Sequence, residues 1–222
     1  MMDIAVYVEG GGNSKDQKAA LRRGFDALFS LEKTKARDKR LSLTFICCGG
    51  RQEAYEAFLN ALEANPKRLS ALLVDSETPV ASVSDDLSKD GKIRVAHLSQ
   101  SVGTDGRGQG DGWELPDKLA EKVHLMVQCM EAWIIADPDA LARFYGKEFR
   151  RAKLPERVNL EEESKTDLYS RLEAATEKTQ KGKYGKIRHA SELLGLIDPA
   201  KVSARCLRFS NFRRWLTEAI DA

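Results

Sequence analysis

Three short apolar runs limit what this chain can become. They are residues 3–8, "LSLTFICCGG" and "LSALLVDSE", and none alternates polar with apolar side chains. A strand with one wet face would show that alternation, so these strands are covered on both faces. Between them lie stretches with helical spacing. Residues 16–33 put Leu21, Phe25, Leu28, Phe29 and Leu31 inward, and "RQEAYEAFLNALEANP" does the same with Tyr55, Phe58, Leu59 and Leu62 before stopping at Pro66. Alternation of this kind predicts a mostly parallel sheet flanked by helices, an α/β fold.

A long irregular stretch over about residues 77–117 then interrupts the pattern. Its segment "SVGTDGRGQGDGW" has five glycines and three charged residues and reads as a flexible loop. The core resumes in "VHLMVQCMEAWIIADPDALARFYG", with a short strand or first helical turn ending near Gln128. There Asp137 stands as a helix N-cap with Pro138 at the first helical position. Beyond Gly146 the spacing is helical. This predicts an α/β domain over 1–146 and a basic helical C-terminal subdomain over 147–222, for which 222 residues suffice. The longest apolar runs are too short to span a bilayer, and no signal-peptide layout opens the chain, so the expected location is cytoplasmic. Cys47, Cys48, Cys129 and Cys206 form no CxxC pair and are expected to be reduced.

In open α/β sheets, ligands bind beyond the carboxyl ends of the strands. Glu9 ends the first strand, and Asp75 with Glu77 ends the third. Two residues apart in an extended segment, Asp75 and Glu77 would point the same way and could share one metal. Oxygen ligands of this type suit Mg2+ or Mn2+, which keep several waters and bind substrate phosphates. Glu131 and Asp137 would join if their segment returns to the same edge. Each acid also has a plain structural reading, strongest for Asp137 as a cap and weakest for Glu9.

"GGGNSK" matches neither a Walker loop nor a dinucleotide fingerprint. Gly10, Gly11 and Gly12 either let the backbone approach a phosphate or simply make a tight turn. The three histidines are scattered and suggest no metal site; His124 is of interest because it precedes the Glu131 segment. Between Lys178 and Arg214 there are ten Lys or Arg against two acids, although the whole chain carries only +2. That excess, which includes Lys183, Lys186 and Arg188, is either a phosphate-binding patch on DNA or RNA or a solvated helical face.

"VYVEGGGNSK", "CCGGRQEAYEAF", "LLVDSETPV", "HLMVQCMEAWIIADPDAL" and "KYGKIRHASELLGLIDPAKV" together resemble a bacterial domain-of-unknown-function family described as Toprim-like and often encoded beside an ATPase. Toprim domains of topoisomerases, primases and OLD-type nucleases have a glutamate after the first strand and an Asp-x-Asp pair after a later one. The resemblance implies Glu9 as the acid/base or metal-linked glutamate and Asp75 with Glu77 as the metal pair, Glu77 departing from the usual Asp. It also carries over Glu131 and Asp137 as site residues without a stated role. No tyrosine nucleophile of a topoisomerase domain is present. The expected function is a Mg2+-dependent nuclease or related phosphodiester-processing enzyme, with defence against foreign DNA as its expected setting. The alternatives are a non-catalytic nucleic-acid-binding or adaptor subunit of an ATPase-containing system and, more weakly, a phosphotransferase on a small nucleotide.

Overall fold

A computed structural model describes residues 3–100 and 111–222. The four strands β1 (Ile4–Glu9), β2 (Leu43–Gly49), β3 (Leu69–Asp75) and β4 (Val123–Met126) form one parallel sheet in the order β2-β1-β3-β4. This is the α/β architecture expected from the apolar runs. Along β1, Ile4, Val6 and Val8 enter one buried cluster while Ala5 and Tyr7 enter the other, so this strand is apolar on both faces because both are covered; β2, at the sheet edge, alternates buried and half-buried residues. Helices α3 (Arg51–Ala64) and α4 (Leu87–Ser99) cover the second face. The first face lies under α1 (Lys15–Leu28), α2 (Ser30–Asp38) and the later helices α5 (Glu131–Ile135), α6 (Pro138–Tyr145), α7 (Lys165–Thr176), α8 (Lys186–Leu194), α9 (Pro199–Arg205) and α10 (Leu207–Asp221). One apolar cluster on that face runs from Ile4 of β1 to Ile220 of α10.

The chain leaves β1 toward β2 on one side and returns to β3 on the other, so the direction of winding reverses between β1 and β3. Ligand crevices form at such a point, where the two connections part.

Two expectations are corrected. The helix expected over 16–33 is two helices broken at Phe29, whose ring packs against Phe25, Phe45, Phe209 and Phe212. Turning the chain keeps Phe29 inside and leaves Leu31 outside, 69% exposed. The stretch expected to be irregular over 77–117 contains α4, capped by Asp86. Its inward face mixes charge with the apolar Val95 and Leu98: Arg94 and Asp90 are both buried and pair with each other, and Arg94 also donates to the Val123 carbonyl at 2.6 Å. Helical apolar periodicity is therefore weak there. Residues 101–110, the centre of the expected glycine loop, lie outside the described residues.

No helix among the described residues is long and apolar enough to cross a membrane. All four cysteines are free thiols.

Candidate active site

The backbone delivers Glu9 and Asp75 to neighbouring strand ends because β1 and β3 pair in parallel, Val8 opposite Leu73. Asp75 Oδ1 accepts from the Met130 amide at 2.9 Å, and its own amide donates to Glu9 Oε2 at 3.1 Å. Glu77 arrives by another route than the extended spacing suggested. It adopts a left-handed backbone (φ 66°), with its amide donating to the Gln128 carbonyl at 3.0 Å, and that turn swings its carboxylate back toward the crevice. One carboxylate oxygen from each of Glu9, Asp75 and Glu77 lies within 4.8 Å of the others. The three acids at the strand ends therefore converge.

Each acid meets a cation. Arg51 Nη1 donates to Glu9 at 3.0 Å and also to the Asp75 carbonyl. Lys186 Nζ donates to Asp75 Oδ2 at 3.2 Å, and Lys165 Nζ donates to both oxygens of Glu77 at 2.6 Å. Burial first, then the adjacent Asp75 charge, pushes the Glu9 carboxyl up to about 7 despite Arg51. Burial works against the charge on Lys186, yet Asp75 and Glu131 hold its ammonium well above the ordinary lysine range. Burial and the Asp75 charge thus outweigh Arg51 and Lys186 at Glu9.

Glu131 and Asp137 do not join this group. Glu131 is fully buried at the start of α5 and accepts from the Tyr169 and Tyr184 hydroxyls at 2.7 and 2.8 Å. Asp137 caps α6 through the amides of Asp139 and Ala140, accepts from the Asp198 amide at 3.1 Å and from Lys201 Nζ at 2.8 Å. Its oxygens are committed to joining α6 to the start of α9, which corrects the expectation of a metal ligand there. His124 is buried against Phe212 and Trp215, and burial holds its ring well below the usual histidine range. It is a core residue.

The basic segment is mostly consumed inside the fold. Lys183 pairs with Glu173, Lys201 with Asp137 and Asp139, Arg208 with Asp90 and Glu161, and Arg213 with Glu32. Arg205 and Arg214 donate to backbone carbonyls. Lys178, Lys181 and Arg188 enter no ion pair among the described residues, and Lys186 alone of the ten reaches the acids.

Gly10, Gly11 and Gly12 all have positive φ, and Gly10 exchanges hydrogen bonds of 2.7 and 3.0 Å with Gly49. L side chains rarely adopt these φ values of 119°, 92° and 63°, so the turn requires glycine for its conformation. These glycines line a cavity of about 200 Å3 that also touches Glu9 and Lys186. The tight turn and the wall of a cavity are here one feature.

Sequence reasoning overlooked Arg51 and Asp111. Arg51 stands just past the glycines that close β2, at the same edge as Glu9, and that position was the available signal. Asp111 holds the guanidinium through two bonds of 2.6 Å while Trp113 lies under it, its centroid 5.1 Å from Arg51 Cζ. No periodicity announces such a contact across 60 residues.

A family model described as "Domain of unknown function (DUF4276)" matches residues 8–217. No curated protein and no solved structure matches the chain.

Proposed function

Because the chain belongs to the family Domain of unknown function (DUF4276), whose description assigns no activity, its role has to be read from the crevice, and we propose a Mg2+- or Mn2+-dependent phosphodiester hydrolase, a nuclease of the Toprim type. The observation that carries this reading is the convergence of Glu9, Asp75 and Glu77 within 4.8 Å at the point where the sheet reverses its winding. The resemblance to Toprim domains supports it: a glutamate follows the first strand and an acidic pair follows a later one.

The residues fit a divalent cation. The donor set is all oxygen, which suits Mg2+ or Mn2+, and of the two largest causes that push Glu9 to about 7, burial and then the Asp75 charge, the second is what added positive charge would relieve. Asp75 and Glu77 would hold the ion with Glu9 beside it, and when bound it supplies charge stabilisation at the phosphoryl oxygens and a more acidic water. Lys186 and Arg51 face the same crevice and can neutralise non-bridging phosphate oxygens. In hydrolysis a water oxygen bonds to phosphorus and the bond to the bridging oxygen breaks. The proton released by water goes to the leaving oxygen, and Glu9 is the carboxylate suited to carry it between the two. The substrate is DNA or RNA. A partner ATPase encoded nearby and a role in defence against foreign DNA belong to the same proposal.

The test is incubation of the full chain with labelled DNA and RNA and Mg2+ or Mn2+, alone and with a neighbouring ATPase. Cleavage should fall about a hundredfold or more in Glu9→Ala. No cleavage under any of these conditions sinks the reading. One observation favours a non-catalytic adaptor: each acid is already paired with Arg51, Lys186 or Lys165. Thermal melts separate the two, since an adaptor shows no carboxylate-dependent stabilisation by either ion.

A further inference from the structure

The contacts behind Lys186 close a ring. Asp75 Oδ1 accepts from the Met130 amide at 2.9 Å, so Glu131, the next residue, starts α5 directly behind the acids. Glu131 Oε1 accepts from the Tyr184 hydroxyl at 2.8 Å, and Tyr184 stands two residues before Lys186, whose Nζ returns to Asp75 Oδ2 at 3.2 Å. The groups that touch the Glu131 carboxylate are neutral. The hydroxyls of Tyr169 and Tyr184 share Oε1. Burial first, then the Glu131 charge, raises the Cys129 thiol well above its usual range, and a thiol is a weak donor. Glu131 Oε2 is buried and has no hydrogen-bond partner among the described residues. Leaving such an oxygen without a donor is costly, and packing alone does not explain it. The positive charge that acts on it is Lys186.

Lys186 and a divalent ion compete for one place. Asp75 Oδ1 is engaged by the Met130 amide, which leaves Oδ2 the less committed oxygen for an ion, and Lys186 Nζ sits on it. An ammonium and a dication on one carboxylate repel each other, so the lysine has to yield when the ion arrives. Lys165 meets the same conflict at Glu77, but that pair is exposed and water can take its ammonium. Lys186 is half-buried, with Asp75 its one ion-pair partner among the described residues, and once moved it needs another carboxylate. We infer that Glu131 is the standby counter-ion: when a divalent cation binds Asp75, Lys186 passes from Asp75 Oδ2 to Glu131 Oε2 and stays charged at the crevice. An ammonium has three donors, so one on Glu131 leaves two for phosphate oxygens. Glu131 is then a positioning residue that acts through Lys186 and touches neither ion nor substrate. The inference rests on the proposed metal chemistry and adds to it how the place of the ion is cleared.

The experiment measures Mn2+ binding by calorimetry to the full chain and to Asp75→Asn, Glu131→Gln, Lys186→Met and the double variant of Glu131→Gln with Lys186→Met, with a melting curve in chelator to check each fold. Glu131→Gln should weaken Mn2+ binding by about tenfold or more, because Lys186 then has no second carboxylate to move to. In the Lys186→Met background the same change should matter by less than about threefold, since no ammonium remains to be moved. A merely structural role would weaken binding equally in both backgrounds, and that result overturns the inference. Crystals of the unaltered chain grown with Mn2+ give a second reading that depends on no variant's stability. Lys186 Nζ should lie within hydrogen-bond distance of Glu131, and a lysine still on Asp75 beside the bound ion overturns the inference. If the unaltered chain binds no Mn2+, or Asp75→Asn binds it as well, the metal reading itself falls and takes the inference with it. If binding needs Asp75 but is indifferent to Glu131, the inference alone falls.

Discussion

At the scale of single residues, chemically similar acids have been sorted into different jobs by what surrounds them. Glu9, Asp75 and Glu77 gather because parallel strands end together, whereas Asp137 is spent on four donors at a helix junction. Asp137→Ala would remove an N-cap and leave buried donors unpaired, and we expect a loss of about 2–4 kcal/mol in urea unfolding. Its thermal response to Mg2+ should match that of the unaltered chain; a lost response would place Asp137 back among the ion's ligands. Glu9 was legible because an apolar run that stops on a carboxylate has no ordinary core explanation, and Asp75 with Glu77 because they follow a second apolar run at the same sheet edge. Glu131 could not be judged that way. Its surroundings, Tyr169 and Tyr184, lie 38 and 53 residues along the chain, and only the fold brings them to it.

Among elements, the strands and most helices could be read directly, since apolar runs and cap residues such as Asp137 and Asp198 act through near neighbours. Helix α4 escaped because its buried face mixes charge with apolar residues, and the break at Phe29 escaped because it answers to rings on β2 and α10. What no local pattern reveals is how closely two helices cross. At Gly24 of α1, an added Cβ would lie 2.4 Å from the Ser191 carbonyl of α8. Gly24→Ala should therefore push α1 and α8 apart, costing about 1–3 kcal/mol of stability. Unchanged melting would show that the crossing has slack.

At the scale of the whole molecule, a small set of buried charges helps to hold the fold together. Arg208, Asp90, Arg94 and Glu161 are all buried, and they tie α10 to α4 and to the segment around Ala81. Burial first raises the Glu161 carboxyl from 4.5 to about 7, despite hydrogen bonding and charge from Arg208. Between those two values the folded chain holds a proton that the unfolded chain has released. Its contribution to stability is thus full below about 4.5 and is lost as pH rises through about 7. Glu161→Gln should flatten that fall in a pH series of urea melts, by at most about 3 kcal/mol; an unaltered slope would assign the proton elsewhere. The C-terminal helices share their apolar cluster with β1, and Lys186 reaches back 111 residues to Asp75. On the ribosome, the acids therefore emerge well ahead of α8, which brings the lysine. A nascent chain halted before α8 would carry the carboxylates without that counter-charge, so the centre can be complete only after α8 has emerged and folded back.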